Sequence, residues 1–257
     1  MDGEYISMTN ISPEIDVQNW LTTPIGTYLL AQEQLLFDEG VSDIFGFNAL
    51  QLGFLQADLL RNSRIPFALR ASESKGDLLC ETQQLPIASN TMDLVLLPHT
   101  LDFSMNPQQT LREVERILMP EGHLVLTGFN PISIWGFRRF VSKRCPSSSA
   151  LWHAHFLSSL RTKDWLNLLG FEVVSTRMAC FKLPLQSTRW MSRLDGLERL
   201  GASCWPMLGG VYCIVAKKRV LSMRLIKPHW SIAKLQRGLA ISPSKKDDAS
   251  SPATKNK

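Results

Sequence analysis

The sequence predicts an α/β fold with a largely parallel sheet, mainly because two strand-length apolar runs enclose a helix. The runs are residues 93–97 and 123–127, and continuous apolar runs of this length are typical of strands buried on both faces of a parallel sheet. A helix over residues 162–169, a strand over 171–175 and a final strand over 211–215 follow. In such sheets, ligands bind beyond the carboxyl ends of the strands.

The helix between the two apolar runs has clear boundary signals. Asn106 is a suitable N-cap, and Pro107 fits the first helical position. Apolar residues then recur at helical spacing, and residues 120–122, Pro-Glu-Gly, are expected to end the helix before the next strand. Gly170 is expected to close the later helix in the same way.

The composition fits one globular domain with a tail. Of the 257 residues, 44% are apolar, which is enough for a single core. No apolar run approaches the roughly 20 residues that a membrane-spanning helix needs. The N-terminus carries acidic residues and lacks a basic and then apolar export signal, so we expect a cytoplasmic protein without a membrane span.

The basic charge is concentrated at the C-terminus. Residues 217–257 hold eleven Lys or Arg against two Asp, whereas the rest of the chain has 17 basic and 21 acidic residues. We therefore expect an N-terminal extension over residues 1–22, a domain over 23–219, and a basic tail over 220–257 that is largely disordered after 239. A solvated tail is the favoured interpretation, and contact with RNA or anionic lipid is the alternative.

Cysteine and histidine spacing gives no metal site. The five cysteines are widely spaced and contain no Cys-x-x-Cys pair. His153 and His155, the one close histidine pair, would point apart on a helix. We therefore expect neither a disulfide framework nor a metal centre.

The middle of the chain resembles a known family. Residues 85–95 and 111–125, which include Leu85-Pro86, Asp93-Leu-Val and the Glu-x-x-Arg-Ile-Leu-x-Pro-x-Gly run, are similar to the second half of class I S-adenosylmethionine-dependent methyltransferases. The strong part of the match covers about residues 78–130. Residues 20–26, 128–136 and 164–173 also resemble a poorly characterised bacterial group of this superfamily.

The resemblance implies a three-layer Rossmann-like fold with a mostly parallel seven-stranded sheet whose last strand is antiparallel. It also implies S-adenosylmethionine as the methyl donor. In this family, a glycine-rich turn follows the first strand, and acidic residues after the second and third strands bind the ribose hydroxyls and the adenine amine.

The donor-binding features are only partly present in this chain. Gly53 matches the first glycine of the turn, but Leu55 and Ala57 stand where further glycines are usual, and Gln51 replaces an acid. By the same resemblance, Glu81 matches the adenine-binding acid; a solvated loop carboxylate is the equal alternative. We expect Gln51, Gly53 and Glu81 to contact the donor.

The first half of the fold looks abbreviated. A strand over residues 65–69 leaves room for only a short helix after Gly53, and no acid directly follows that strand before Glu73. The usual spacing from the glycine turn to its acidic partner is about 20 residues. The short connection over residues 74–77 leaves no room for a second helix.

Four further residues are candidates for catalysis or substrate binding. His99 follows the strand over residues 93–97, so we predict that it acts as a base or contacts the donor. The alternative, which is more common for such a histidine, is that it only lines the wall of the pocket. Asn130, Trp135 and Arg138 are candidates for acceptor binding; a turn and an amphipathic surface helix are the alternatives.

Three functions remain open at this point. The first is a methyltransferase that acts on a small-molecule acceptor, and the second is a catalytically inactive binding protein that has lost the donor site. RNA methylation with help from the basic tail is a third. The acceptor and the oligomeric state do not follow from the sequence.

Overall fold

The computed structural model describes residues 20–142, 154–182 and 206–219. The chain divides into two units, Met1–Val220 and Leu221–Lys257, and every described residue belongs to the first. The predicted basic tail and most of the predicted N-terminal extension lie outside the described residues. Those domain boundaries stay predictions.

Seven strands form one mixed sheet in the part of the chain that the structure describes. Their bounds are β1 (Asn48–Leu52), β2 (Phe67–Ser72), β3 (Leu78–Leu79), β4 (Met92–Pro98), β5 (Leu118–Phe129), β6 (Phe171–Ala179) and β7 (Val211–Lys218). The helices are α1 (Pro24–Val41), α2 (Thr100–Phe103), α3 (Pro107–Ile117), α4 (Ile134–Ser142) and α5 (Ser159–Leu168). A 3₁₀ turn over Pro206–Leu208 precedes β7.

The strand order is β3-β2-β1-β4-β5-β7-β6. The pairs among β1 to β5 are parallel, whereas β7 is antiparallel to both β5 and β6. This confirms the predicted Rossmann-like fold with an antiparallel last strand. Because the order reverses between β1 and β4, a crevice is expected at the carboxyl ends of those two strands.

The central strands are buried, as their apolar runs predict. In β4 and β5, Leu94, Val95, Leu96, Leu124 and Val125 have no exposed surface. Helix α3 begins at Pro107, and the Asn106 side chain accepts a hydrogen bond from the backbone of Gln109. The predicted strand, cap and helix are therefore confirmed here.

The end of α3 differs from the prediction. The helix ends at Ile117, and β5 begins at Leu118 rather than after Gly122. Leu118 pairs with Met92 before the register shifts, so the turn residues predicted to stop the helix lie in an irregularity within the strand. The strand is favoured there because a neighbouring strand is available for pairing, which local turn preferences do not show.

The connection from β1 to β2 also differs. Residues 53–66 form turns and bends, not the short helix that we expected, and β2 runs from Phe67 to Ser72 rather than over residues 65–69. The buried Gln51 side chain supplies one physical reason. Its amide donates to the carbonyls of Phe54 and Ala57, so it satisfies backbone groups that a helix would otherwise use.

Helix α1 packs against the sheet with an unusual buried row. Thr23 caps the helix, and positions four residues apart turn inward along it. This row consists of Ile25, Leu29, Glu33, Phe37 and Val41. Glu33 is therefore a carboxylate within an otherwise apolar face. No helix of the described ranges is long and apolar enough to cross a membrane.

Lys218 ties the end of β7 to the end of α3. Its ammonium donates to the carbonyls of Glu115 and Leu118 at 2.6 and 3.0 Å, and it pairs with the Glu115 carboxylate at 2.9 Å. A cation at a helix C-terminus is favoured because it meets the unpaired last carbonyls.

We expect Lys218→Met to lower the free energy of unfolding by about 2 kcal/mol, because it leaves buried carbonyls without a donor. Lys217→Met is the matched control. Its lysine pairs with Glu121 at a more exposed site, and its loss is expected to cost less than about 1 kcal/mol. Urea unfolding of both variants measures the difference, and equal losses would contradict this role of Lys218.

Candidate active site

A small cavity lies at the carboxyl edge of the parallel strands. The cavity has a volume of about 90 Å³, well below the roughly 300 Å³ at the lower end of ordinary ligand pockets. Segments that follow β1, β2, β3 and β4 all contribute to its wall. The lining residues are Gly53, Ser72, Glu73, Thr82, Thr100, Phe103 and Ser104.

Gly53 forms the turn at the end of β1. Its φ is +82°, a left-handed conformation that favours glycine, and its amide donates to the carbonyl of Ala71 at 2.7 Å. Thr100 supports the same turn, since its hydroxyl donates to the carbonyl of Leu52 at 2.6 Å. The predicted glycine thus lines the cavity and is held by neighbours on both sides.

Gln51 is buried directly before this turn. Besides its two donated bonds within the loop, its carbonyl oxygen accepts from the backbone of Leu59 at 3.3 Å. All of the hydrogen bonds described for this side chain hold the loop. Its predicted contact with the donor stays a prediction.

Glu73 is a site residue that the sequence analysis missed. Because β2 extends to Ser72, Glu73 is the first residue after that strand, and it lines the cavity. It lies 20 residues after Gly53, the spacing typical of the ribose-binding acid in nucleotide folds. The strand predicted over residues 65–69 ends three residues before the observed strand, so the sequence prediction does not place Glu73 directly after it.

The end of β3 faces the same cavity. Thr82 contributes to its wall, while Glu81 is exposed next to it. Burial and then the nearby Glu73 carboxylate raise the pKa of the Cys80 thiol, which indicates that Glu73 is close to the residues after β3. Contact between Glu81 and the donor stays a prediction.

His99 follows β4 and is enclosed between two carboxylates. Its Nδ1 lies 2.8 Å from Asp102 Oδ2, and its Nε2 lies 2.6 Å from Glu33 Oε1. None of the three side chains is more than 2% exposed. Neither Glu33 nor Asp102 was singled out from the sequence; an acid within the apolar row of α1 was the available signal for Glu33.

The charge of this cluster follows from its geometry. Burial disfavours the imidazolium, but Glu33 and Asp102 outweigh burial and raise the pKa of His99 to about 9. Asp102 Oδ2 also accepts from the backbone of Phe129 at 2.9 Å. A charged imidazole has no lone pair to accept a proton. This geometry therefore favours a positioning role for His99, and not the predicted role of a base.

Aromatic rings surround the cluster. The His99 ring stacks on Phe129 with centroids 3.9 Å apart, and Phe54 lies 5.6 Å away. Phe54 also contacts Phe103 of the cavity wall at 5.7 Å, and its φ is +47°. Phe54 thus carries a bulky ring at a left-handed position of the turn, where Gly is easier to accommodate.

The three predicted acceptor residues follow β5. The buried Asn130 amide donates to the carbonyls of Met207 and Gly209, and the buried Trp135 indole donates to the carbonyl of Lys182 at 3.0 Å. Burial lowers the pKa of Arg138, which is partly exposed on α4. These contacts hold the edge of the sheet together, and acceptor binding stays a prediction for all three residues.

Within the described ranges, no group of three or more His, Cys, Asp or Glu is arranged to hold a metal ion. The chemistry that the described residues offer is therefore that of carboxylates, a charged imidazole, hydroxyls and aromatic walls.

Comparisons with known proteins concern the family and the fold. A methyltransferase domain family matches residues 60–126. The uncharacterized protein YafS of Escherichia coli is 31% identical over 225 residues, which cover 86% of this chain and 87% of YafS.

Solved structures share the fold. A methyltransferase from Thermotoga maritima, described as dependent on S-adenosylmethionine, has a TM-score of 0.56 at 17% identity and covers 80% of this chain and 98% of its own. A second such enzyme, from Archaeoglobus fulgidus, has a TM-score of 0.51 at 16% identity, with coverage of 75% and 94%. At these identities the likeness concerns the fold alone.

The His99 cluster gives a prediction for pH dependence. Because the folded pKa of His99 is raised above its ordinary value of 6.5, the stabilisation is fully present below that pH and is lost as the pH rises through about 9. We expect Glu33→Gln to lower the free energy of unfolding by roughly 3 kcal/mol near neutral pH and by much less at about pH 10.

Glu39→Gln is the matched control for this experiment. Glu39 lies on the same helix but forms an exposed ion pair with Arg177, so its loss is expected to be small and nearly independent of pH in this range. Urea unfolding across the pH series measures both variants. A loss for Glu33→Gln that does not change with pH would show that the charged imidazole is not its source.

Proposed function

Because the chain belongs to the class I S-adenosylmethionine-dependent methyltransferase superfamily and is a relative of YafS, we propose that it is an enzyme that methylates a small-molecule acceptor. The observation that carries this proposal is the convergence of Gly53, Glu73 and Thr82, which follow three different strands, on one cavity. By the resemblance, the superfamily binds its methyl donor from the segments that follow these three strands.

The polar residues fit the donor. The left-handed turn at Gly53 allows a close approach of ligand to backbone, and a Cβ there would lie 3.4 Å from the Thr100 hydroxyl. The Glu73 carboxylate suits the two ribose hydroxyls, because charged acceptors form strong hydrogen bonds with them. Glu81, exposed beside Thr82, suits the adenine amine for the same reason.

The size of the cavity sets a condition on binding. At about 90 Å³, it is smaller than a nucleoside needs, so donor binding requires the wall to widen. Phe103 belongs to this wall and rests on Phe54, and their separation would enlarge the cavity toward the His99 cluster. Side-chain rotation is a common response of binding sites to their ligands.

Methyl transfer from S-adenosylmethionine requires the protein mainly to position the donor and the acceptor. S-adenosylmethionine supplies a methyl group on a sulfonium, and the sulfur is a good leaving group in an in-line displacement. The chain's residues orient the donor through Glu73 and the Gly53 turn, while Phe54, Phe103 and Phe129 exclude water from the edge. His99 keeps its proton and positions the segment after β4 instead of removing a proton from the acceptor.

The acceptor would enter beside the segments that follow β5. Asn130, Trp135 and Arg138 lie on these segments, and the partly exposed Arg138 guanidinium is the candidate for an anionic group of the acceptor. The RNA alternative depends on the residues after 219, which lie outside the described ranges. No described contact favours it over a small molecule.

Titration calorimetry with S-adenosylmethionine tests the proposal. We expect the full-length chain to bind the donor, and we expect Glu73→Gln to weaken binding by about tenfold or more, because it removes a charged acceptor. Glu172→Gln is the matched control. Its carboxylate pairs with Arg219 at the beginning of β6, near the opposite edge of the sheet, so donor binding should not change.

Two outcomes would contradict the proposal. Absence of both heat and a thermal shift at millimolar donor would leave only a binding protein on a methyltransferase fold. An equal loss in Glu73→Gln and Glu172→Gln would indicate a general effect of charge, and Glu73 would then not be a donor ligand.

A further inference from the structure

Helix α4, the loop before it and the 3₁₀ turn over Pro206–Leu208 expose several apolar residues. Ile132, Ile134 and Phe137 are 67%, 43% and 68% exposed, and Met207 and Leu208 beside them are 72% and 42% exposed. We call these five residues the apolar ridge. Single exposed apolar residues are ordinary, but a contiguous group of this kind marks an interaction surface.

The rotation of α4 is fixed by its neighbours. Trp135 is buried, and a Cβ at Gly136 would lie 2.1 Å from the carbonyl oxygen of Pro131, so the glycine is needed for this close approach. The Arg139 guanidinium lies over the Phe156 ring. The helix therefore turns Trp135 and Arg139 toward the domain and Phe137 toward solvent.

Asn130 joins the loop after β5 and the 3₁₀ turn before β7 into one surface. Asn130 donates to the carbonyl of Met207 at 2.9 Å and accepts from the backbone of Ile132 at 3.1 Å. An open trough of about 480 Å³ runs along this surface, with Pro131, Ile134, Phe137 and Leu208 in its wall. The position of the apolar ridge is thus fixed by hydrogen bonds within the segments that follow β5 and precede β7.

The stretch of sequence that contains helix α4 is positively charged. The sequence contains no Asp or Glu between Glu121 and Asp164, whereas it contains six cationic residues in that interval. They are Arg138, Arg139, Lys143, Arg144, Arg161 and Lys163. Helix α4 itself has exposed Ile and Phe, two Arg and no acidic residue, which is the composition of helices that lie in the interface of anionic membranes.

We propose that the apolar ridge docks the protein onto the surface of an anionic lipid bilayer. The apolar side chains would enter the headgroup region, and the partly exposed Arg138 of α4 would meet the lipid phosphates. This goes beyond the proposed enzyme function, because it concerns where the protein acts. It places the edge after β5, where the acceptor is proposed to enter, against the lipid.

Binding to vesicles of equal parts phosphatidylglycerol and phosphatidylcholine tests the proposal. We expect the full-length chain to bind these vesicles, and we expect Ile132→Ser with Phe137→Ser to weaken binding by at least about tenfold. Leu208→Ser with Ile134→Ser should give the same loss. These variants keep every charge, so binding through the basic C-terminal residues alone would not be weakened.

Phe47→Ser with Phe67→Ser is the matched control, because these phenylalanines are also exposed but lie at the beginnings of β1 and β2, at the opposite edge of the sheet. The control should bind like the unmodified chain. The proposal is overturned if the unmodified chain does not bind, if the ridge variants bind equally well, or if the control loses as much. The assay contains no methyl donor, so its outcome is independent of the proposed enzyme activity.

Discussion

A charged imidazole between two buried carboxylates holds the carboxyl edge of this sheet together. Burying three ionisable groups is costly, and the cost is offset only when each charge meets an opposite one at short distance. Glu33 brings helix α1 to the cluster, His99 and Asp102 bring the turn after β4, and the backbone of Phe129 brings the end of β5. Three segments that are distant in sequence therefore share one electrostatic centre.

This centre also determines the surroundings of the small cavity at the carboxyl edge. The His99 ring is held so that one of its faces stacks on Phe129, and Phe54 packs nearby against Phe103. The wall of the cavity is thereby connected to a charged, buried layer beneath it. The charged cluster does not depend on a ligand for its stability, so it can keep this edge in place whether or not a ligand is bound.

The parts of the fold that depend on local pattern could be predicted from the sequence. The apolar run of β4 and the cap at Asn106 carry their own signals, and both were confirmed. The start of β5 and the end of β2 could not be placed, because strand pairing with Met92 and with β1 decides them. The error at β2 concealed Glu73. Glu33 was missed because its partners are more than 60 residues away in sequence.

The turn after β1 has one more consequence, which concerns the sign of the ligand's charge. Nucleotide folds usually begin a helix at this point, and the positive pole of that helix attracts a phosphate or pyrophosphate. In this chain, residues 53–66 form turns, so no such pole faces the crevice. The phosphates of a dinucleotide would therefore not meet a helix pole after β1, and a cationic ligand meets no electrostatic repulsion from one.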